Sequence, residues 1–245
     1  MVDILGPAIA AGLMIAMTHA PLGIEVLKRG IIFIDLAIAQ IAGLGLVVAN
    51  VTMPAAPWWA LQGAALSFAV LAALFFRAVE RKAPQHQEAV IGCAFVLAAS
   101  LALLLLADRP HGGEEIQHLL SGQILFVTWA NVFAHMPVYA AILALWFVAP
   151  SLRGGLGFYL LFALAVTSSV QLVGVYVVFA SLILPALAAC GARQAHRTAW
   201  TCGILAVLSG ITASACFDLP AGPALVMAYL AVCVAVRGAG KITAR

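Results

Sequence analysis

The sequence predicts an all-α fold, a polytopic transmembrane helical bundle with eight or nine membrane helices. Of the 245 residues, 65% are hydrophobic and only 9% are charged, and the mean hydropathy is +1.12. Soluble domains carry about 25% charged residues, so this composition excludes an ordinary soluble protein. Runs of about 20 apolar residues recur, which is the length a helix needs to cross a hydrocarbon core of about 30 Å. We therefore expect residues 1–245 to form a single transmembrane domain in the lipid bilayer.

Nine apolar segments follow one another along the chain. The first has no basic stretch before it, which favours a membrane span over a cleavable signal. Two adjacent segments, 157–170 and 173–190, are short and could form one span with a re-entrant piece, so the count is eight or nine. The segments are 4–22, 30–50, 57–76, 89–107, 132–149, 157–170, 173–190, 198–216 and 223–236.

Basic residues mark one side of the membrane. Positive charge accumulates in cytoplasmic loops. With nine crossings, this rule places the N-terminus outside and the C-terminus inside a bacterial inner membrane. It also explains the net charge of +3, so no nucleic-acid partner is implied. The residues used are Lys28, Arg29, Arg77, Arg81, Lys82, Arg153, Arg193, Arg197, Arg237, Lys241 and Arg245.

The common motifs of enzymes do not occur in the sequence. There is no Gly-x-x-x-x-Gly-Lys-Ser/Thr loop for ATP, no His-Glu-x-x-His and no Gly-x-Ser-x-Gly. Any ATP hydrolysis would therefore belong to a separate subunit. The five cysteines include no Cys-x-x-Cys pair, which argues against a disulfide framework and a thiolate metal site. We expect no covalently bound cofactor.

Asp35 is the only charged residue between Arg29 and Arg77, and it lies inside the apolar segment 30–50. A carboxylate inside a membrane span costs about 2.5–3.5 kcal/mol on insertion scales and commonly marks an ion pathway. A structural role is the alternative: Asp35 could cap a broken helix or bond to a neighbouring helix. An ion-coupled secondary transporter would also use such a residue.

Three sequence blocks, in order, resemble the permease subunits of bacterial zinc, manganese and iron ABC importers. They cover about a third of the chain. The first has Pro-Leu-Gly, a basic pair and an Asp. The second has Gln-x-x-Gly followed by an aliphatic run and a proline among small residues. The third is an Asp-x-Pro-x-Gly-Pro turn. The matching residues are Pro21, Leu22, Gly23, Lys28, Arg29 and Asp35; Gln171, Gly174, Pro185, Ala186 and Ala189; and Asp218, Pro220, Gly222 and Pro223.

The resemblance implies an ABC importer permease fold and a set of partners. A second copy of the chain would complete the pore, two ATP-binding subunits would dock on the inside, and an extracytoplasmic protein would deliver the ion. The transported ion is expected to be divalent, with zinc as the first expectation, followed by manganese or iron. The alternative function is an ion-coupled secondary transporter that uses Asp35 and needs no ATPase.

One position departs from the family pattern. The family usually has a His four residues after the Asp, one helical turn along the same face, where this chain has Ala39. An Asp–His pair would offer an oxygen and an imidazole to a divalent ion. Asp35 alone would select less well between metal ions, because carboxylates accept many cations. Gln40 could add its amide oxygen as a second ligand.

Other histidines are further candidate ligands. His111, Glu115 and His118, together with Glu114, fall in the loop 108–123, which is expected outside; they could collect cations, or the loop could only contact a partner. His135 in the fifth span could line the pathway or bond a neighbouring helix. We expect His19, His86 and His196 at the surface or the membrane interface.

The loop after the seventh segment is the expected docking site for the ATPase. Small residues followed by basic ones suit a short helix that lies in a groove of a soluble partner. Topology alone would also explain its arginines. The predicted docking residues are Ala189, Gly191, Arg193, His196 and Arg197.

Overall fold

The computed structural model describes residues 2–53, 56–107, 122 and 124–242. Within these residues, eight helices are long and apolar enough to span a membrane, which confirms the predicted all-α, multi-spanning fold. The helices are α1 Val2–Arg29, α2 Ile34–Thr52, α3 Trp58–Lys82, α4 Gln87–Leu106, α5 Trp129–Val148, α6 Gly155–Ala189, α7 Ala195–Phe217 and α8 Ala221–Ile242.

Helix α6 contains both short segments of the sequence analysis and is broken at Gly174, where φ is 77° and ψ is 166°. The imidazole of His19 bonds to Ser169 Oγ before the break and to Ser181 Oγ after it. A straight helix would separate those two serines by about 18 Å along its axis, beyond the reach of one imidazole. The arms 155–173 and 175–189 therefore fold back toward each other.

The arms of α6 form the centre of the bundle. In the most apolar stretch of this helix, 78% of the residues are buried, compared with 22% in the corresponding stretches of α4, α5 and α8. Those three outer helices expose large apolar side chains, as expected of surfaces that face lipid or another subunit. The exposed residues include Leu97, Leu104, Phe133, Val148, Met227 and Val234.

Several of the predicted basic positions meet at one end of the bundle, which we call the basic end. Arg29 pairs with Glu25 at 3.1 Å and with Glu80 at 3.3 Å, and it donates to the carbonyl of Arg153 at 2.8 Å. Arg77 also pairs with Glu80. The C-terminal end of α1, the C-terminal end of α3 and the turn before α6 thus lie side by side.

The first two sequence blocks are in direct contact. Pro21 has no N–H, so the carbonyl of Met17 loses its helical partner and instead accepts a bond from the indole of Trp200 at 2.9 Å. Two residues after Pro21, α1 packs so closely on α6 that a Cβ at Gly23 would come within 2.0 Å of the carbonyl of Leu182. These contacts fix α1 against the second arm of α6 and against α7.

The third sequence block forms the turn between α7 and α8. Asp218 adopts the left-handed conformation, with φ of 52°, which Asp tolerates better than most residues. The N–H of Leu219 then bonds to the carbonyl of Ser214 at 3.1 Å, and the Ser214 hydroxyl donates to the carbonyl of Leu219 at 2.7 Å. This block therefore has a structural role.

Candidate ion site and buried polar network

Asp35 lies in the first turn of α2, immediately after the turn that follows Arg29. Its side chain is only 1% exposed. Neither carboxylate oxygen has a hydrogen-bond partner of good geometry among the residues that the structure describes, and the backbone N–H groups of Asp35 and Leu36 in the same helical turn are polar neighbours. A buried carboxylate is stable only when it is protonated, paired or bound to a cation, so this group can receive a ligand.

The residues near Asp35 on α2 point in two directions. Ala39, at the position of the family His, is 1% exposed and buried in the core. Gln40 is half-buried and lines an apolar cavity of 710 Å³ with Tyr176, Phe179 and Met227. Asp35 does not line this cavity. The expected cooperation of Gln40 with Asp35 stays a prediction.

Glu88 is a second acid near the same helix end, partly buried, and the sequence analysis did not single it out. It lies in the first turn of α4, and its Oε1 accepts a bond from the N–H of Phe33 at 3.2 Å. Its Oε2 is buried and, in the described part of the chain, has no partner. The order of the helices could have indicated this placement. Because α2 and α4 run in the same direction, their first turns lie at the same end of the bundle.

His135 lines a cavity between α2, α3, α5 and α6 whose mainly apolar wall carries a few polar side chains. The cavity has a volume of 420 Å³, and Gln62, Asn131 and Gln171 contribute to its wall. Nδ1 of His135 bonds to Ser168 Oγ at 2.7 Å, so the imidazole does contact a neighbouring helix. Within the described residues, Nε2 of Gln171 has no partner. A role for His135 in the ion pathway stays a prediction.

His19 is fully buried, so the expectation that it lies at the surface or interface is wrong. Its two ring nitrogens bond to Ser181 Oγ at 2.7 Å and to Ser169 Oγ at 3.0 Å. Tyr139 bonds to the same Ser169 at 2.8 Å. We call these four residues the His19 network; it links α1, α5 and both arms of α6. Serines within the apolar segments could have indicated this network from the sequence, because buried hydroxyls need hydrogen-bond partners.

The outer-loop candidates His111, Glu115 and His118 lie outside the described residues. The end of their loop is described at Gly122, where φ is 65°. A Cβ at this position would come within 2.1 Å of the backbone of Val173. The loop thus returns to the bundle directly against the break in α6.

The predicted docking residues fall into two groups. Ala189 is 1% exposed and packs against Ala20 and Ala199, so the structure buries it between α1 and α7. The others, Gly191, Arg193, His196 and Arg197, are exposed. The segment between α6 and α7 forms turns and not the separate short helix that we expected, because α7 already begins at Ala195.

The solved structures that are similar to this chain include two that align over most of its length. PsaBC from Streptococcus pneumoniae, determined in complex with Fab, aligns with a TM-score of 0.74 at 19% identity, covering 95% of this chain and 90% of that chain. An inward-facing metal-chelate type ABC transporter aligns with a TM-score of 0.66 at 17% identity, covering 90% of this chain and 81% of that chain. At this identity, the similarity shows the fold.

The family model described as the ABC 3 transport family matches residues 1–151 and 152–237. The match includes all three sequence blocks and both arms of α6. Together with the helical fold, it shows that this chain belongs to the ABC 3 transport family and is a multi-pass membrane permease of the ABC importer type.

Proposed function

We propose that this chain forms the pore of an ATP-driven importer of a divalent metal ion, with zinc as the first candidate and manganese or iron next. The observation that carries the proposal is the carboxylate of Asp35, buried in a permease of this family and, among the described residues, without a hydrogen-bond partner. A divalent cation would neutralise this group and occupy its free oxygens.

The proposed assembly has three kinds of subunit. Two copies of this chain form the permease, two ATPase subunits bind at the basic end, and an extracytoplasmic protein delivers the ion at the opposite end. The exposed Gly191, Arg193, His196 and Arg197 support docking of the ATPase at the turn between α6 and α7. Arginines there can form charge-assisted bonds with a soluble partner. This arrangement places the C-terminus inside the cell.

The outer loop is proposed to receive the ion. His111, Glu115 and His118 combine imidazole and carboxylate ligands, which suit zinc. The contact of Gly122 with the break in α6 supports a route from this loop toward the bundle. His135 and Gln171, in their shared cavity, are proposed as weaker contacts on the way, and Gln40 as an additional contact near Asp35.

The test is ATP-dependent metal uptake by proteoliposomes that contain this chain and the ATPase encoded with it. We expect radioactive zinc to accumulate only when ATP is present on the ATPase side and the ATPase can hydrolyse it. The alternative, an ion-coupled carrier, predicts uptake by this chain alone, driven by a proton or sodium gradient. Such uptake without ATPase would contradict the proposal.

A further inference from the structure

Ala39 offers Asp35 no ligand one turn further along α2. Glu88, on α4, is an acid that the fold brings to this helix end. Its Oε1 accepts a bond from the N–H of Phe33, two residues before Asp35. The acids of α2 and α4 therefore lie at the same helix end although they are 53 positions apart in the sequence.

Other acids near the basic end are neutralised. Glu25 and Glu80 pair with Arg29 and Arg77. In the described residues, neither Asp35 nor Glu88 belongs to an ion pair, and three of their four carboxylate oxygens are buried without a partner. Two uncompensated acids repel each other, so a single proton or a cation is needed to hold both in a buried site.

We propose that Glu88 is the second ligand of a divalent cation bound at Asp35, supplying from α4 the group that Ala39 cannot supply from α2. This inference rests on the proposed function as a metal permease. Two carboxylates match the charge of a divalent ion. The bond from the Phe33 N–H orients Glu88 through Oε1 and leaves Oε2 for the ion, as outer contacts commonly do for metal ligands.

A purely structural role for Glu88 makes a different prediction. If Glu88 only accepts the bond from Phe33, then Glu88→Gln keeps that bond, because the amide oxygen of Gln also accepts it. As a ligand, Gln retains one neutral oxygen but loses the charge. Glu88→Asp keeps the charge on a shorter side chain and is expected to recover part of the function.

The experiment measures two quantities on the complete permease–ATPase complex. The first is the uptake of radioactive zinc, and the second is the binding of Mn²⁺ without ATP, followed by electron paramagnetic resonance. We expect Glu88→Gln to weaken Mn²⁺ binding and zinc uptake at limiting zinc by about tenfold or more, and Glu88→Asp to retain more of both. Glu25→Gln is the matched control, since it removes the same charge from an acid at the same end that is also partly buried but is paired with Arg29.

Each outcome decides a separate question. If Glu88→Gln matches Glu25→Gln in both binding and uptake while the wild type binds and transports metal, Glu88 is only a cap for Phe33 and this inference is wrong. Loss of both in Glu88→Gln with recovery in Glu88→Asp supports it. Loss without recovery, in a complex whose melting temperature is unchanged, also supports a ligand of strict geometry. A wild-type complex that neither binds nor transports divalent ions would overturn the proposed function itself.

Discussion

The two buried polar regions of this bundle differ in how their hydrogen-bonding capacity is used. In the His19 network, one imidazole, two serines and a tyrosine bond to one another at 2.7–3.0 Å. At the first turns of α2 and α4, Asp35 and Glu88 together keep three buried oxygens without a partner in the described part of the chain. The network needs nothing more, whereas the acid pair needs a proton or a cation.

From this difference we expect the His19 network to serve mainly stability and the acid pair to serve mainly transport. Each satisfied hydrogen bond contributes about 1 kcal/mol net, so the network holds α1 and the arms of α6 in place. An uncompensated buried charge is destabilising, and membrane proteins retain such groups mainly where ions pass. Substitutions in the network are therefore expected to change stability first, and substitutions in the acid pair to change transport first.

Asp35→Ala should have the largest effect on function. It removes the charge proposed to bind the ion, so we expect ATP-driven zinc uptake to be lost while the complex still assembles. Because a buried unpaired acid is removed, the thermal stability of the apo complex should be unchanged or higher. Uptake by proteoliposomes and the melting temperature in detergent measure the two effects. Uptake equal to that of the wild type would show that Asp35 is not on the ion route.

Gly122→Ala should have the next largest effect. The left-handed backbone and the contact with Val173 leave no space for a methyl group, and we expect a loss of about 2–4 kcal/mol in the free energy of unfolding or displacement of the loop end. Reduced uptake with an increased half-saturation concentration would locate the loop on the ion route. Gly63→Ala is the control, because a Cβ there meets open space. Equal behaviour of the two variants would remove the loop contact from the account.

His19→Leu tests the network and should have a smaller effect. It removes the bonds to Ser169 and Ser181 but keeps an apolar side chain of similar reach, so we expect a loss of about 1–3 kcal/mol in the free energy of unfolding. Zinc binding at equilibrium should be nearly unchanged. His86→Leu, at an exposed position before α4, is the control. A greater effect of His19→Leu on zinc binding than on stability would reverse the assignment of the two regions.

Replacing both His111 and His118 with Ala should have the smallest effect. If the outer loop supplies ligands, the half-saturation concentration for zinc uptake should rise. Its pH dependence should flatten between about 5.5 and 7.5, because only neutral imidazole binds metal and an ordinary imidazole has a pKa of about 6.5. Uptake assays across this pH range measure both effects. A double variant identical to the wild type would leave the loop as a docking surface for a partner.

The sequence could predict the helices but only part of the site. Apolar runs identified each of the eight long helices in the described part of the chain. The uncertain pair of segments, 157–170 and 173–190, lies where the chain folds back at Gly174. Asp35 was visible because it interrupts an apolar run. Glu88 was not, because it precedes its run and resembles an ordinary charge at a helix end. The bonds of His19 join residues at least 150 positions apart, which periodicity cannot show.

The proposed ion site at Asp35 is tested by the number of Mn²⁺ ions bound per permease subunit in the wild type and in Asp35→Asn, measured on the purified complex without ATP. The substitution keeps the shape and an amide oxygen but removes the charge. We predict one ion per subunit in the wild type and none at the same concentration in Asp35→Asn, with the melting temperature of the apo complex maintained or raised. Equal binding in both proteins would contradict the claim that the unpaired acids form the ion site.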